Sequence, residues 1–247
     1  MLAEQRARAI LQKISQHQTV SVTELCQATG ASEATIRRDL NALARQGRLV
    51  KIHGGATSLE AEEFLAQEPD LATKLRYSRE KERIARYAAG LVGEDDVVFL
   101  DTGTTVLHMP DHLKGSKALF VTSSIDLAAR LTEHSLHVYV LGGTLKLGTV
   151  DIVGAEALHA LRRYNFTKVF LGTSGVSLSQ GFTTPDPEAA ALKSLAASRA
   201  QTVYMLADSS KFGRVTAATI LPLDAAQIIT DRLPDRKYLD SADVIAV

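Results

Sequence analysis

The sequence predicts an α/β chain in two parts: an N-terminal winged helix-turn-helix, then a C-terminal Rossmann-like parallel α/β domain. Three observations predict it. Residues 32–45, Ser-Glu-Ala-Thr-Ile-Arg-Arg-Asp-Leu-Asn-Ala-Leu-Ala-Arg, read as a capped amphipathic helix behind a tight glycine turn. From residue 96 onward, short continuous apolar runs alternate with helical segments, as strands covered on both faces do. Charge divides along the same line. Residues 1–58 hold eight basic groups (Arg6, Arg8, Lys13, Arg37, Arg38, Arg45, Arg48, Lys51) and four acids, while the remainder holds 20 basic and 24 acidic groups. A small basic module joined to a larger acidic one implies a polyanionic partner for the first part only.

The totals exclude several classes. At 247 residues and 45% hydrophobic composition, a sizeable core is expected and global disorder is not. No run of 18 apolar residues exists, so no membrane span is expected, and the first residues lack the apolar stretch of a signal peptide. The one cysteine cannot form an internal disulfide, which suits a reducing cytosol and a cytoplasmic location. Cys26 is expected as a small core residue.

Residues 4–16 read as a first helix, with Ala7, Ile10, Leu11 and Ile14 on one side. Val20-Ser21-Val22 is a short extended piece. Ser21-Val22-Thr23-Glu24 is a capping box that starts a second helix carrying Leu25, Cys26 and Ala28. Gly30 stops it, and Ala31-Ser32 turn into the third helix, which Gly47 ends. In that helix Ile36, Leu40 and Leu43 form the inward stripe. Ala34, Arg38, Asn41, Ala42 and Arg45 point away, with Thr35 and Arg37 on the flanks and Asp39 the one acid on the wall. Such a face suits a major groove; on its own it equally suits solvent. Residues 48–52 then read as a strand and His53-Gly54-Gly55-Ala56 as a turn with a return, the wing. Arg48, Lys51 and His53 can reach phosphate or the minor groove there, or His53 is simply a turn residue.

Residues 58–77 are acidic, contain Pro69, and read as a linker, in part helical. Ser78 caps a helix with Glu80 and Glu82 in its first turn and Ile84, Ala88, Leu91 and Val92 inward. Strands are expected at 97–100, 119–121, 138–141, 169–171 and 203–206, with Ile228-Ile229 and 244–247 as further ones. Helices are expected near 124–133, 154–163 and 187–199, the last with Asp186 as cap and Pro187 at its first position.

Ligands of open α/β sheets bind at the carboxyl ends of the strands. Here those ends run into Asp101-Thr102-Gly103-Thr104-Thr105, Thr122-Ser123-Ser124, Gly142-Gly143-Thr144, Gly172-Thr173-Ser174-Gly175 and Asp208-Ser209-Ser210-Lys211. Backbone N–H groups, hydroxyls and helix N-termini are what a phosphate needs. One such loop is ordinary turn chemistry; five in register point to a small polar anion. Lys146, Ser174 and Glu188 join this set. No dinucleotide glycine fingerprint and no nucleoside triphosphate loop appears, so no cofactor is expected. His108 and His112 are four apart, but Pro110 lies between them and no third ligand stands nearby. They read as solvated histidines, and no metal is expected.

Ala34-Thr35-Ile36-Arg37-Arg38-Asp39-Leu40 with His53-Gly54-Gly55-Ala56 resembles the signature of the DeoR (deoxyribose/glycerol-phosphate repressor) family of bacterial regulators. Asp101-Thr102-Gly103-Thr104-Thr105, Gly142-Gly143, Gly181-Phe182-Thr183-Thr184 and Asp208-Ser209-Ser210-Lys211-Phe212-Gly213 resemble its effector domain. The resemblance implies a C-terminal domain like ribose-5-phosphate isomerase that serves as a sensor. Ala28-Thr29-Gly30-Ala31-Ser32-Glu33, Leu113-Lys114-Gly115 and Gly181-Phe182-Thr183-Thr184-Pro185-Asp186-Pro187-Glu188 are most similar to the fructose operon repressors, which implies fructose 1-phosphate as effector. Ser123 departs from the family's usual asparagine, and Ser174 from its usual acidic or amide residue.

The expectation is therefore a DNA-binding regulator with residues 1–57 on double-stranded operator DNA, 58–77 as linker and 78–247 as sensor of a phosphorylated sugar. The expected DNA contacts are Ser32, Thr35, Arg37, Arg38, Asn41, Arg45, Arg48, Lys51 and His53. The expected effector contacts are Asp101, Thr102, Gly103, Thr104, Thr105, Thr122, Ser123, Ser124, Gly142, Gly143, Lys146, Ser174, Glu188, Asp208 and Lys211. One module buries little surface, so a homo-oligomer on repeated half-sites is expected, dimer or tetramer. Two alternatives stand beside it: activation in place of repression, and a sugar-phosphate isomerase carrying a regulatory module, in which Asp208 with Lys211, or Glu188, would transfer protons.

Overall fold

The computed structural model describes residues 3–17, 19–46, 48–52, 54–57, 63–65, 77–146 and 151–247. The chain divides into two compact units, Met1–Glu63 and Phe64–Val247.

In the first unit α1 (Ala3–His17), α2 (Val22–Thr29) and α3 (Glu33–Arg45) pack beside a small sheet of β1 (Thr19–Ser21), β2 (Val50–Ile52) and β3 (Gly55–Thr57), in the order β1-β3-β2. Its core is Ile10, Ile14, Val20, Val22, Leu25, Ile36, Leu40, Leu43, Leu49 and Ala56. The capping box forms as expected. Glu24 N–H donates to Ser21 Oγ at 3.2 Å, and Ser21 N–H donates to Glu24 Oε2 at 2.7 Å. Gly30 ends α2 in the left-handed conformation at φ 70°. Leu25 is buried, Cys26 half-buried and Ala28 exposed; Thr29 takes the inward place expected of Ala28, its hydroxyl bonded to Leu25 O. Gly47 and His53 lie outside the described residues.

Of the expected linker 58–77 the structure describes Tyr77 and β4 (Glu63–Leu65), a strand rather than a helix. The strand pairs with β14 (Arg214–Thr216), whose open edge supplies the hydrogen bonds. The rest of 58–76 lies outside the described residues.

The second unit opens with α4 (Ser78–Ala89). Tyr77 stands at its N-cap in the left-handed region, with no side-chain cap, so Ser78 is the first helical residue rather than the cap. Ile84 and Ala88 face inward; Leu91 and Val92 follow in the turn and pack half-buried. A parallel sheet follows, built from β5 (Val97–Leu100), β6 (Leu119–Thr122), β7 (Val138–Val140), β10 (Phe166–Gly172), β13 (Ala200–Leu206), β16 (Gln227–Thr230) and β17 (Val244–Ala246). The strand order is β17-β16-β13-β10-β5-β6-β7, every neighbour pair parallel. Side chains alternate between two cores. Phe99, Val121, Val169, Leu171, Met205 and Ile228 pack with α6 (Ala155–Leu161) and α7 (Pro187–Ser198). Val98, Leu100, Phe120, Phe170, Leu206 and Ile229 pack with α4 and α5 (Ile125–Glu133). The two edge strands are the exceptions to burial on both faces: Tyr139 and Val140 of β7 and Ala246 of β17 are exposed, and among the described residues no strand lies beyond either.

Antiparallel pieces decorate the carboxyl edge. They are the hairpin of β8 (Thr144–Lys146) with β9 (Asp151–Val153), and the small sheet of β11 (Gly175–Ser177), β12 (Gly181–Thr184) and β15 (Ala218–Leu221). Among the described residues, no helix is long and apolar enough to cross a membrane.

Candidate nucleic-acid interface and effector site

Helix α3 presents its polar face because Ile36, Leu40 and Leu43 are all buried. Ser32 caps it, its Oγ accepting from Thr35 N–H at 3.4 Å and lying 3.0 Å from Thr35 Oγ1. Arg37 and Arg38 are exposed; among the described residues Arg37 reaches Glu33, one turn back, at 3.5 Å. Such an exposed pair is weak and exchanges readily for a phosphate. The single acid on the wall is neutralised from behind: Arg6 of α1 bonds both carboxylate oxygens of Asp39, the longer contact at 3.2 Å. That bond to Asp39, against opposing desolvation, raises the Arg6 pKa further. The exposed surface of the helix is thus cationic in effect.

The wing is fastened to the helix. Lys51 Nζ of β2 donates to Asn41 Oδ1 at 2.6 Å, and Arg45 Nε donates to Asn41 O at 3.3 Å. Asn41 therefore holds both cations beside the exposed side of α3. Arg48 is exposed just before β2. His53 lies outside the described residues.

In the second unit the strand order places the switch point between β5 and β10: the chain runs outward from β5 to β7, then returns to the other side of β5. The crevice at such a point is where ligands of open α/β sheets sit. Its two lips touch. A Cβ on Gly103 would stand 3.2 Å from Gly172 Cα, and the reverse distance is the same. Asp101 Oδ2 accepts Gly172 N–H at 2.7 Å and an ammonium hydrogen of Lys193, which also donates to Gly172 O at 3.0 Å. Both side chains of this ion pair are buried. Lys193, from α7, is not among the residues singled out from the sequence, and its buried ammonium ties the ends of β5 and β10 together.

Around it, Thr122, Ser123 and Ser124 at the end of β6 are all buried. Thr122 Oγ1 donates to Leu100 O at 2.7 Å, and Ser124 Oγ caps α5 at Leu127 N–H. Ser123 Oγ is buried with no partner among the described residues. Asp208, at the end of β13, accepts Ser210 N–H on Oδ1 at 3.0 Å, while its buried Oδ2 makes no hydrogen bond. Thr102, Gly103, Thr104, Ser174 and Lys211 are half-buried and Thr105 is buried; Ser174 N–H bonds Thr183 O. Gly142 and Gly143 are exposed beyond edge strand β7, and Glu188 is exposed on the first turn of α7. The structure thus brings the loops after β6, β5, β10 and β13 into one row and leaves Gly142, Gly143 and Glu188 outside its buried part.

Lys146 bonds the Asp186 carboxylate, which also caps α7 by accepting Glu188 N–H at 3.0 Å. Partial burial raises the Asp186 pKa, and the bonds from Lys146 and the Glu188 and Ala189 N–H groups outweigh it, so the net shift is downward. A depressed folded-state pKa contributes stability that is complete above the unfolded value and lost as pH falls through the folded one. Asp186→Asn is expected to be less stable by about 1 kcal/mol at neutral pH, with the gap closing below about pH 4. Urea melts of both chains across pH 3–7 check this.

His108 and His112 remain partly open to solvent, and each also has a carboxylate partner. Pro110 turns Val106–His112 into a 3₁₀ segment, and both imidazoles close on Glu82 of α4, at 3.0 and 2.6 Å. Among the described residues no group of three His, Cys, Asp or Glu side chains is arranged to hold a metal.

A winged helix with a cationic exposed face, joined in one chain to a parallel α/β unit with a polar carboxyl edge, defines a DNA-binding regulator with a sensor domain. Comparison with known families agrees: residues 6–62 match the DeoR-like helix-turn-helix domain, and residues 76–232 match the DeoR C-terminal sensor domain. The chain belongs to the DeoR family of transcriptional regulators. It is 41% identical to the uncharacterized HTH-type transcriptional regulator FruR of Bacillus subtilis, over 93% of this chain and 91% of that one. It is 32% identical to the lactose phosphotransferase system repressor of Streptococcus mutans, over 96% and 95%. Among solved structures, ribose 5-phosphate isomerase A of Methanocaldococcus jannaschii aligns with a TM-score of 0.41 at 16% identity, over 53% of each chain. The relatives are regulators of transcription, not enzymes, and this chain is one of them.

Proposed function

We propose that this regulator acts in the cytoplasm as a homo-oligomeric repressor of a sugar-utilisation operon. Residues 1–57 bind double-stranded operator DNA, 58–77 connect, and 78–247 sense a phosphorylated sugar, first of all fructose 1-phosphate. The observation that carries the sensor reading is the row of loops at the carboxyl ends of β6, β5, β10 and β13, with Ser123 Oγ and Asp208 Oδ2 buried and open to a hydrogen bond. Buried polar atoms are ordinarily bonded, and a sugar hydroxyl can serve either atom. The name of the FruR relative suggests a fructose phosphate, and the resemblance of the sequence to the fructose operon repressors puts fructose 1-phosphate first. Arg37, Arg38, Arg45, Arg48 and Lys51 supply the DNA-facing charge.

The test is a thermal melt of the full chain with fructose 1-phosphate, fructose 6-phosphate, fructose 1,6-bisphosphate, tagatose 6-phosphate, glycerol 3-phosphate and free fructose. A ligand at 100 times its Kd adds about 2.7 kcal/mol, which for a unit of this size raises the melting point by about 5–10 °C. The expected result is such a rise for fructose 1-phosphate and none for free fructose. No rise with any phosphate overturns the sensor assignment.

A further inference from the structure

Strand β7 ends the sheet on one side, and it is open on both of its faces. Tyr139 is 45% exposed and Val140 42%. Successive side chains of a strand point to opposite faces, so a helix or loop laid over one face leaves the other bare. Chain that runs alongside the edge covers both. The main chain is directed for such a partner. Phe120 N–H bonds His137 O at 2.9 Å and Leu141 N–H bonds Thr122 O at 3.0 Å, so positions 137, 139 and 141 face β6. Val138 and Val140 between them direct their N–H and C=O away from β6, where no strand lies among the described residues.

Exposed edges are ordinarily blunted by a charge, a proline or a bulge. The other edge strand, β17, follows the exposed carboxylate of Asp243, and its Val244 and Ile245 are half-buried. β7 has none of these devices. Its register with β6 runs without a shift, and residues 135–145 contain no Asp, Glu, Lys, Arg or Pro. Leu145 of β8 and Ile125 at the start of α5 are further exposed apolar side chains, in the segments that follow β7 and β6. The Tyr139 ring is already placed, 5.2 Å from His137 and 6.3 Å from Tyr164, which stacks on Phe166. Ordering it on association therefore costs little.

We infer that β7 is an interface between two copies of this chain, joined edge to edge about a twofold axis. Charge selects this occupant. A twofold sets residues near the axis beside their own copies, so a charge there would meet its like. The uncharged strip 135–145 meets its own copy at no such cost. The edge also fixes the register. Val138 and Val140 carry the outward groups, so Val138 of one copy pairs with Val140 of the other. The two Tyr139 residues then stand opposite each other at the axis, as a non-hydrogen-bonded pair with Cα atoms about 4.5 Å apart. Two seven-stranded sheets run on as one. The inference rests on the homo-oligomer reading of this regulator and deepens it by naming the surface.

The test uses the full chain. Sedimentation equilibrium gives the mass of the parent, Tyr139→Lys and Val140→Pro. Lysine puts two like charges at the axis, and proline removes an N–H that β6 does not use. Each variant is expected to have half the parent's mass, with the parent's far-ultraviolet circular dichroism. Cross-linking checks the register in a Cys26→Ala background. Tyr139→Cys with oxidised glutathione is expected to give a disulfide-linked dimer, since the Cα spacing falls within the range of about 4.4–6.8 Å that a disulfide spans. Glu94→Cys, in the loop before β5, is expected to give none. On a DNA duplex that the parent selects from a random pool, Tyr139→Lys is expected to bind about 10²-fold more weakly, because two modules are no longer held together. Its added positive charge acts in the opposite direction. Parent-like mass in either folded variant, or no cross-link through Tyr139→Cys, overturns the β7 interface and leaves the homo-oligomer reading standing. A monomeric parent overturns both, and gives the edge to a strand of another protein.

Discussion

Lys193→Met is expected to lower the urea midpoint of the second unit by more than about 1 M. The residue is 7% exposed and its ammonium is shared between the Asp101 carboxylate and Gly172 O. Methionine keeps the volume and the apolar stem and removes the charge. Asp101, 2% exposed, is then left with a single N–H donor, that of Gly172. Breaking a buried pair from one side costs about 3–5 kcal/mol, chiefly because the remaining charge has no counter-charge. With a urea slope of about 1–3 kcal/mol per molar, that is a large shift. Asp101→Asn placed in the Lys193→Met background is expected to recover part of the loss, since the amide no longer carries the stranded charge. Denaturation followed by circular dichroism reads both. A midpoint within about 0.3 M of the parent in Lys193→Met would remove the pair from the set of interactions that close the switch-point crevice.

Lys193 is not legible from local pattern alone. Lys193 falls in step with Ala190, Ala196 and Ala197, the inward positions of α7, and Lys81 falls in step with Ile84, Ala85 and Ala88 of α4. A charged residue on an apolar stripe is a position where the fold requires a partner, and both partners, Asp101 and Asp208, stand in loops already singled out. Periodicity identifies such a position but not the strand end opposite it, because that depends on the order β13-β10-β5-β6. The same limit explains β7. Its run Val138-Tyr139-Val140 reads like the central strands, and only its place at the edge leaves Tyr139 and Val140 exposed. Features set within a few residues were legible: the Ser21–Glu24 box, the Gly30 stop, the stripe on α3 and the Asp186 cap. Features set by distant chain were not. These are the Glu82 contacts with His108 and His112, the neutralisation of Asp39 by Arg6, and the strand at Glu63–Leu65.

The Arg6–Asp39 pair bears on the strongest expectation for DNA binding, the double variant Arg37→Ala/Arg38→Ala. Both guanidinium groups are exposed on α3: Arg37 pairs weakly with exposed Glu33, and Asp39 is engaged by Arg6 of α1. Each is therefore available to phosphate or to a guanine edge. A phosphate or base contact contributes about 1–3 kcal/mol, so losing two is expected to weaken operator binding by about 10²–10³-fold at fixed salt. The salt dependence separates the two kinds of contact. Each phosphate contact removed lowers the slope of log K against log salt by about one, whereas a base contact lowers specificity and leaves the slope nearly unchanged. Because neither side chain packs in the core of Ile36, Leu40 and Leu43, the melting point is expected to stay within about 2 °C of the parent. Fluorescence anisotropy with the selected duplex at several salt concentrations reads all of this. Operator affinity within threefold of the parent would move the interface off the Arg37–Arg38 part of α3, leaving Arg45 at the end of that helix and Arg48 and Lys51 of the wing as the cations to test next.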